Sequence, residues 1–356
     1  MTTIIAEAGS NHNGKLNLAI ELVRLASRSG ADYCKFQFIY PQGLYLPVEL
    51  GKDSQVLGKS KVFEQRREEV LRKSEWSQIW RECQSLGIKA TASVFDIEGI
   101  AMLADLGGDF VKIASCDLNN TELHGLASEA FQKIIISTGM ASKEEILSVD
   151  KYFSRQHPDV EVMYMFCTSL YPTMLSQVDF PRLRWMQAKL GEDRVGYSDH
   201  TEGVAASAAA AVLGVRTFEK HFTISKKMTG FDHKVALEED ELSDYVSSLK
   251  NLQSTDQSKQ HGTEVDNETA VRARRGLYAA RDIKMGEVVS RTDVLCVRPS
   301  ATLGPNDISL VVGAPAATDV DMYKPLAVTA SGVVAGQSLS ARASEYWTSE
   351  MKDKGM

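Results

Sequence analysis

The sequence predicts an α/β fold, a (β/α)8 TIM barrel followed by a small C-terminal β-rich module, and three observations predict it. Short β-branched or aromatic runs alternate with amphipathic stretches from residue 2 to about 255, the pattern that βαβ units produce. Eight such units fit in that span, close to the roughly 250 residues usual for a barrel. Polar side chains gather at the C-terminal end of nearly every strand, where a barrel carries its chemistry. An open doubly wound sheet is the rival reading of the same alternation.

Taken in order, strands are expected at Thr3 to Ala8, Asp32 to Phe38, Ile88 to Val94, Asp109 to Ala114, Lys133 to Ser137, Val160 to Cys167, Arg194 to Ser198 and Val215 to Phe222. Helices are expected at Leu16 to Ser29, stopped by Gly30, and at Trp76 to Leu86, stopped by Gly87. Ser142 with Glu145 three residues on reads as a capping box, and the Ala-rich run Val204 to Leu213 is closed by Gly214. The barrel is therefore assigned to residues 1–254. Residues 255–271 are polar without periodicity and read as a linker. A β-rich module follows at 272–330, with Gly276 to Ile283, a turn at Lys284 to Glu287, then Val288 to Ser290 and Val294 to Arg298. Residues 331–356 read as a peripheral helix or tail.

The chain is 356 residues long, 43% hydrophobic and 24% charged, enough to bury a sizeable core and unlike a disordered or fibrous chain. Its net charge of −7 argues against a general nucleic-acid surface or a polybasic membrane anchor. No apolar run approaches the ~18 residues of a membrane span, and Met1 to Lys15 lacks the pattern of a secretory leader. Five cysteines, scattered and without a C-x-x-C pair, disfavour a disulfide framework and a structural zinc site and suit a reducing cytoplasm.

The chemistry is read at the strand ends. Strand one ends in Glu7. Strand two carries Lys35 and Gln37, which at i and i+2 share a face. Strand four offers Lys112, with Ser115 and Asp117 beyond it. Strand five ends at Ser137, strand six leads to Ser169 and Tyr171, strand seven ends Ser198-Asp199-His200, and strand eight carries Glu219 and His221 on one face. Two lysines with hydroxyls in an acidic protein suit a small multivalent anion, a phosphorylated or carboxylated substrate. His200 and His221, on neighbouring strands, could bind one divalent cation or be two separately hydrogen-bonded imidazoles. Glu7 and Glu219 could act as general acid or base, or pair with an inward lysine.

Six segments resemble the sialic acid synthases: Ile4 to Gly14 (IIAEAGSNHNG), Tyr33 to Gln37 (YCKFQ), Val111 to Ser115 (VKIAS), Ile136 to Met140 (ISTGM), Tyr197 to Thr201 (YSDHT) and Glu219 to Thr223 (EKHFT). The resemblance runs from residue 4 to about 235 and resumes from Arg275 to Asp319, which is similar to the antifreeze-like (SAF) domain of those enzymes. It implies condensation of phosphoenolpyruvate with an N-acyl-mannosamine-type sugar to a nine-carbon 2-keto acid, with release of phosphate and help from Mn2+ or Mg2+. By motif position it implies that His200 and His221 hold the metal, and that Lys35, Lys112, Ser115, Ser137 and Ser198 contact phosphoenolpyruvate. Glu7 would stand beside the metal-bound water, and Gln37, Asp117, Tyr171 and Asp232 would hold the sugar, with Ser169 on the same side. Arg298 matches the arginine that a partner subunit inserts over the active site, which implies a domain-swapped homodimer. Glu7 or Glu219 would position the attacking water.

The pattern departs at Asp117, Ser169, Phe231 and Ser300, where Glu, Asn, Pro and Gly are usual, and the loop Gln42 to Leu71 carries no family motif. Acceptor identity is what these positions touch. Legionaminate or pseudaminate synthesis is an alternative, as is a phosphorylated acceptor served by Lys226, Lys227 or Lys234. A non-catalytic sugar-binding relative is the reading from another class.

Overall fold

A computed structural model of the chain describes residues 2–254 and 264–337. The chain divides into two compact units, Met1–Thr255 and Asp256–Met356.

In the first unit eight strands form one closed, all-parallel barrel in which every strand pairs with its sequence neighbour and the last closes on the first. They are β1 (Thr3–Gly9), β2 (Tyr33–Phe38), β3 (Lys89–Val94), β4 (Val111–Ile113), β5 (Lys133–Ser137), β6 (Glu161–Cys167), β7 (Val195–Asp199) and β8 (Thr217–His221). Alternation divides each strand between two environments. Outward residues such as Ile4, Phe36, Ile113 and Phe218 pack on the surrounding helices. The helix Leu16–Arg28 turns Ala19, Leu22, Val23 and Ala26 to that core, and Ser142 caps the helix Lys143–Gln156 through the expected box. Phe36 and Phe38 meet Trp76 and Trp80 of the helix Lys73–Ser85, with ring centroids 4.7–6.4 Å apart.

Inward residues form two layers. Ile5, Phe110, Ile135 and Met165, backed by Tyr33 and Met163, make a separate apolar floor. Gly196 is small for a reason: a Cβ there would stand 2.4 Å from Met165 Sδ, so β7 yields its place in the barrel to that thioether. One step further along the strands the inward residues become polar: Glu7, Lys35, Ser93, Lys112, Ser137, Ser198 and Glu219 are all buried.

The segment after β2, in which the sequence shows no motif, is an ordered excursion. It consists of a short helix Pro41–Leu44, a hairpin of Val48–Leu50 with Val56–Lys59, and the helix Lys61–Glu68. Arg66 anchors it, donating to Ser10 Oγ at 2.6 Å and Glu69 Oε2 at 2.9 Å while its guanidinium lies 3.7 Å from the Phe231 ring centre.

The second unit holds two antiparallel hairpins, β9 (Gly276–Ala279) with β10 (Val294–Val297) and β11 (Leu326–Thr329) with β12 (Gly332–Ala335). They close on Leu277, Ile283, Val289, Val311, Val320 and Val333. Val288 makes only an isolated bridge to Pro315 rather than a strand.

Two expectations are revised. The stretch 255–271 was expected to be linker throughout, but a helix occupies Glu264–Ala273; its Glu, Ala and Arg content favours a helix although no apolar stripe announces one. The stretch expected as tail begins inside the second hairpin, because β12 is too short to stand out from its turn. The remaining parts of both, 255–263 and 338–356, lie outside the described residues.

Candidate functional site

A cavity of about 320 Å³ lies at the C-terminal ends of the barrel strands. Glu7, Lys35, Gln37, Lys112, Ser115, Ser137, Ser169, Tyr171, Ser198, His200, Glu219 and His221 all line it. The inward alternation explains how residues so far apart in sequence converge: Glu7 lies opposite both Lys35 and His221, and Glu219 opposite Ser198, in the parallel registers.

At the base is a buried quartet of two lysines and two glutamates. Lys35 Nζ donates to Ser93 Oγ at 2.8 Å and lies 2.7 Å from Glu7 Oε2 and 3.5 Å from Glu219 Oε2. One buried ammonium thus bridges the two carboxylates. Lys112 Nζ bonds Ser137 Oγ and stands 3.7 Å from Glu219 Oε1, which also accepts from Ser198 Oγ at 2.9 Å. Gln37 Nε2 donates to Glu7 Oε1 at 2.8 Å.

The two carboxylates are driven apart in acidity. Burial raises the pKa of Glu7, with Lys35 only partly offsetting it and the nearby Glu219 charge adding to the rise. Burial acts on Glu219 too, but there Lys112, Lys35 and the Ser198 hydroxyl outweigh it and hold the carboxyl well below its usual range. Burial likewise opposes the charge on Lys35, yet the two glutamates raise its pKa, whereas burial wins at Lys112 and lowers it. Glu219 therefore stays ionised while Glu7 is the carboxylate suited to take up a proton.

Above the quartet stand two imidazoles with ring centroids 5.7 Å apart. His200 Nδ1 lies 2.7 Å from the Thr168 carbonyl, an acceptor that requires a proton on Nδ1 and so leaves Nε2 an unprotonated acceptor, 3.5 Å from the Ser198 hydroxyl. Burial, then the neighbouring His221, hold its pKa down to about 4, so the ring is neutral. His221 Nδ1 is buried with no hydrogen-bond partner. The Tyr171 ring lies 4.1 Å from that of His200, at the exposed rim. Among the described residues no group of three or more His, Cys, Asp or Glu side chains is disposed to hold a metal. An unprotonated His200 Nε2 and an unpartnered His221 Nδ1 on neighbouring rings fit a divalent cation that keeps its other positions for water or substrate oxygen.

Three expected residues lie elsewhere. Asp232 does not line the cavity but stands at its edge: a Cβ on Gly9 would meet Asp232 Oδ2 at 3.3 Å, Gln37 Nε2 at 3.5 Å and Glu7 Oε1 at 3.6 Å. Asp117 does not line it either; Asn120 Nδ2 donates to its Oδ1 at 3.2 Å. Arg298 belongs to the second unit, where it is exposed just beyond β10.

Ser93, Cys116, Met140 and Cys167 also line the cavity and were not anticipated. The period of two could have found Ser93, two residues after buried Thr91, and Cys167, two after Met165 of the floor. Gly139, at the end of the strand-five run Ser137-Thr138-Gly139, carries no side chain to announce a role. Its N–H donates to Ser115 Oγ at 3.0 Å and Cys167 Sγ at 3.1 Å, tying the ends of β4, β5 and β6 together.

Comparison with known proteins adds two family matches, the NeuB family over residues 22–261 and the SAF domain over 274–321. The chain is 32% identical to the pseudaminic acid synthase of Campylobacter jejuni, covering 89% of this chain and 93% of that one. It is 34% identical to the N,N'-diacetyllegionaminic acid synthase of Legionella pneumophila, covering 87% and 89%. The crystal structure of an N-acetylneuraminic acid (sialic acid) synthetase from Leptospira borgpetersenii superposes with a TM-score of 0.65 at 26% identity, covering 75% of this chain and 89% of that one.

Proposed function

The chain belongs to the NeuB family, and from that premise we propose that it condenses phosphoenolpyruvate with an N-acyl-mannosamine-type sugar to a nine-carbon 2-keto acid, releasing phosphate. The observation that carries this reading is the buried quartet Glu7, Lys35, Lys112 and Glu219 directly beneath the His200–His221 pair in one cavity. The resemblance to pseudaminic and diacetyllegionaminic acid synthases over most of the chain makes diacetamido sugars part of the acceptor class.

Lys35 and Lys112 hold the phosphate and carboxylate of phosphoenolpyruvate, with Ser115, Ser137 and Ser198 supplying hydrogen bonds. The quartet is formally neutral, two lysines against two glutamates, so a multiply charged anion needs further positive charge at the site. His200 and His221 would hold a divalent cation, Mn2+ or Mg2+, which when bound would supply that charge and Lewis acidity toward the aldehyde oxygen of the open-chain sugar. Arg298, exposed and without a carboxylate partner among the described residues, is a second source, delivered by the SAF module of a partner chain in a domain-swapped homodimer.

Gln37, Tyr171 and Ser169 face the sugar, with Asp232 at the edge of the cavity. Carbon 3 of phosphoenolpyruvate bonds to the aldehyde carbon, and water adds to carbon 2. Glu7, with its raised pKa, accepts the water's proton and returns it to the alkoxide left on the former aldehyde carbon, and phosphate departs from carbon 2 with the proton of the new carbon-2 hydroxyl, leaving the ketone. Glu219, ionised and fixed by Ser198, stabilises the positive charge that develops at carbon 2. An unphosphorylated acceptor is favoured, because Lys226 is tied to Glu241 at 2.6 Å and none of Lys226, Lys227 and Lys234 lines the cavity. Five free cysteines suit a cytoplasmic enzyme, and no helix among the described residues is long and apolar enough to cross a membrane.

The test is phosphate release from phosphoenolpyruvate with Mn2+ across N-acetylmannosamine, its 6-phosphate and 2,4-diacetamido sugars, each repeated with chelator. Chelator-sensitive release with one unphosphorylated sugar is expected. Release without sugar, or undiminished by chelator, would overturn the reading.

A further inference from the structure

Directly behind the two histidines, on the outer face of the barrel wall, lies a second buried ion pair that the proposed chemistry does not use. Strand alternation puts Ser198, His200, Glu219 and His221 inward and the residues between them outward. Asp199 and Lys220 are register partners across β7 and β8. Lys220 Nζ stands 3.0 Å from Asp199 Oδ2, with the two side chains 1% and 0% exposed. The same ammonium donates to the Thr201 carbonyl.

Asp199 in turn shapes the backbone that carries His200. Its Oδ1 accepts from Thr201 N and from Thr201 Oγ1, both at 2.8 Å, closing an Asx turn with His200 at its centre. Its Oδ2 accepts from Ser207 Oγ at 2.7 Å, and Tyr245 OH lies 2.7 Å from that hydroxyl, which ties the turn to the helices Ala205–Val212 and Glu239–Ser254. His200 is thus flanked on both sides by residues that Lys220 grips, and Lys220 immediately precedes His221. One side chain spans the two strands at the level of both imidazoles.

We infer that Lys220 and Asp199 are positioning residues that fix the spacing of His200 and His221 for a shared cation. The inference rests on the metal reading above. A burial argument alone does not require this arrangement, because an apolar pair would fill the same space without desolvating two charges. The ion pair gives what an apolar pair cannot, a directional link from one strand to the Thr201 carbonyl and Asp199 carboxylate of the next.

The experiment titrates the full-length, substrate-free protein with Mn2+ by calorimetry. Replacing the pair together, Asp199→Asn with Lys220→Met, avoids stranding a buried charge. Thr201→Val, a near-isosteric change that deletes one bond to Asp199, serves as a milder variant that retains the fold. The double variant should bind Mn2+ about 10- to 100-fold more weakly and Thr201→Val several-fold more weakly. Affinities within twofold of wild type for Thr201→Val, or for a folded double variant, overturn the inference while leaving the metal reading intact. Failure of the wild-type protein itself to bind Mn2+ overturns the metal reading and the inference with it.

Discussion

Gly139 is where the site leaves least room, and Gly139→Ala tests the geometry most sharply. A Cβ at this position would stand 2.1 Å from Ser169 Oγ, 2.9 Å from Cys167 Sγ and 3.0 Å from Ser115 Oγ, where ordinary contact begins at 3.4 Å. Ser169 Oγ can swing aside at little cost. Cys167 and Ser115 cannot retreat so easily, because the Gly139 N–H holds both of them. The added methyl therefore displaces the turn after β5 by a few tenths of an ångström to about 1 Å, an overpacking cost of about 1–3 kcal/mol. Displacement on that scale next to Ser137 and Ser115 should lower kcat/KM for phosphoenolpyruvate by about 10²-fold, or ~2.7 kcal/mol. Phosphate-release kinetics read the first effect and thermal melts the second. Adding Ser169→Ala removes only the shortest contact and should restore a minor part of the loss. Gly139→Ala with kcat/KM within threefold of wild type and an unchanged Tm would refute the close-approach argument.

Glu7→Gln and Glu219→Gln should each lower turnover by about 10²- to 10⁴-fold with unchanged Mn2+ affinity; near wild-type turnover in both would sink their assignment as acid–base and stabilising groups. Lys35→Met takes from Glu7 its cationic partner, leaving a buried carboxylate unpaired, and should destabilise the fold by about 3–5 kcal/mol in urea melts. Lys112→Met should cost less stability and mainly raise KM for phosphoenolpyruvate, since Lys35 and Ser198 still hold Glu219; equal urea midpoints for the two variants would count against this division. His124 packs beside Tyr152 and Phe153, and burial lowers its pKa to about 4. Its folded value lies below the unfolded ~6.5, so stability is intact above pH 6.5 and is lost as pH falls toward 4. Between pH 7 and pH 5 the His124→Leu variant should lose about 2 kcal/mol less than wild type; parallel pH–stability curves would contradict this.

The barrel was legible because each strand announces itself by composition and each helix by its stops. Every expected barrel strand is present, with shifts of one or two residues at its ends, as at Asp109 to Ala114, whose hydrogen-bonded part is Val111–Ile113. The lysines, glutamates and histidines of the cavity were legible because each sits on the inward phase of its own strand. Contacts that join strands were not. Nothing near Gly139 in the chain signals that Ser115 and Cys167 will close on its N–H. Nothing in the run from Gln42 to Leu71 shows that Arg66 will be buried against Phe231, more than 160 residues away. The Asp199–Lys220 pair was hidden for the same reason: its two members belong to different strands and face away from the cavity.

The apolar floor of Ile5, Phe110, Ile135 and Met165 closes the barrel beneath the charged residues, so that the described residues form a vessel filled from the strand ends. Lys35 and Lys112 lie at its bottom, 1% and 2% exposed, whereas Tyr171 at the lip is 51% exposed. In the proposed reaction phosphoenolpyruvate must pass the lip before the sugar settles there, and traffic through one opening imposes a queue. A dead-end sugar analogue should then inhibit uncompetitively against phosphoenolpyruvate, while a phosphoenolpyruvate analogue should compete with phosphoenolpyruvate and be noncompetitive against the sugar. The floor that insulates the charges thus also sets the sequence in which the reactants arrive.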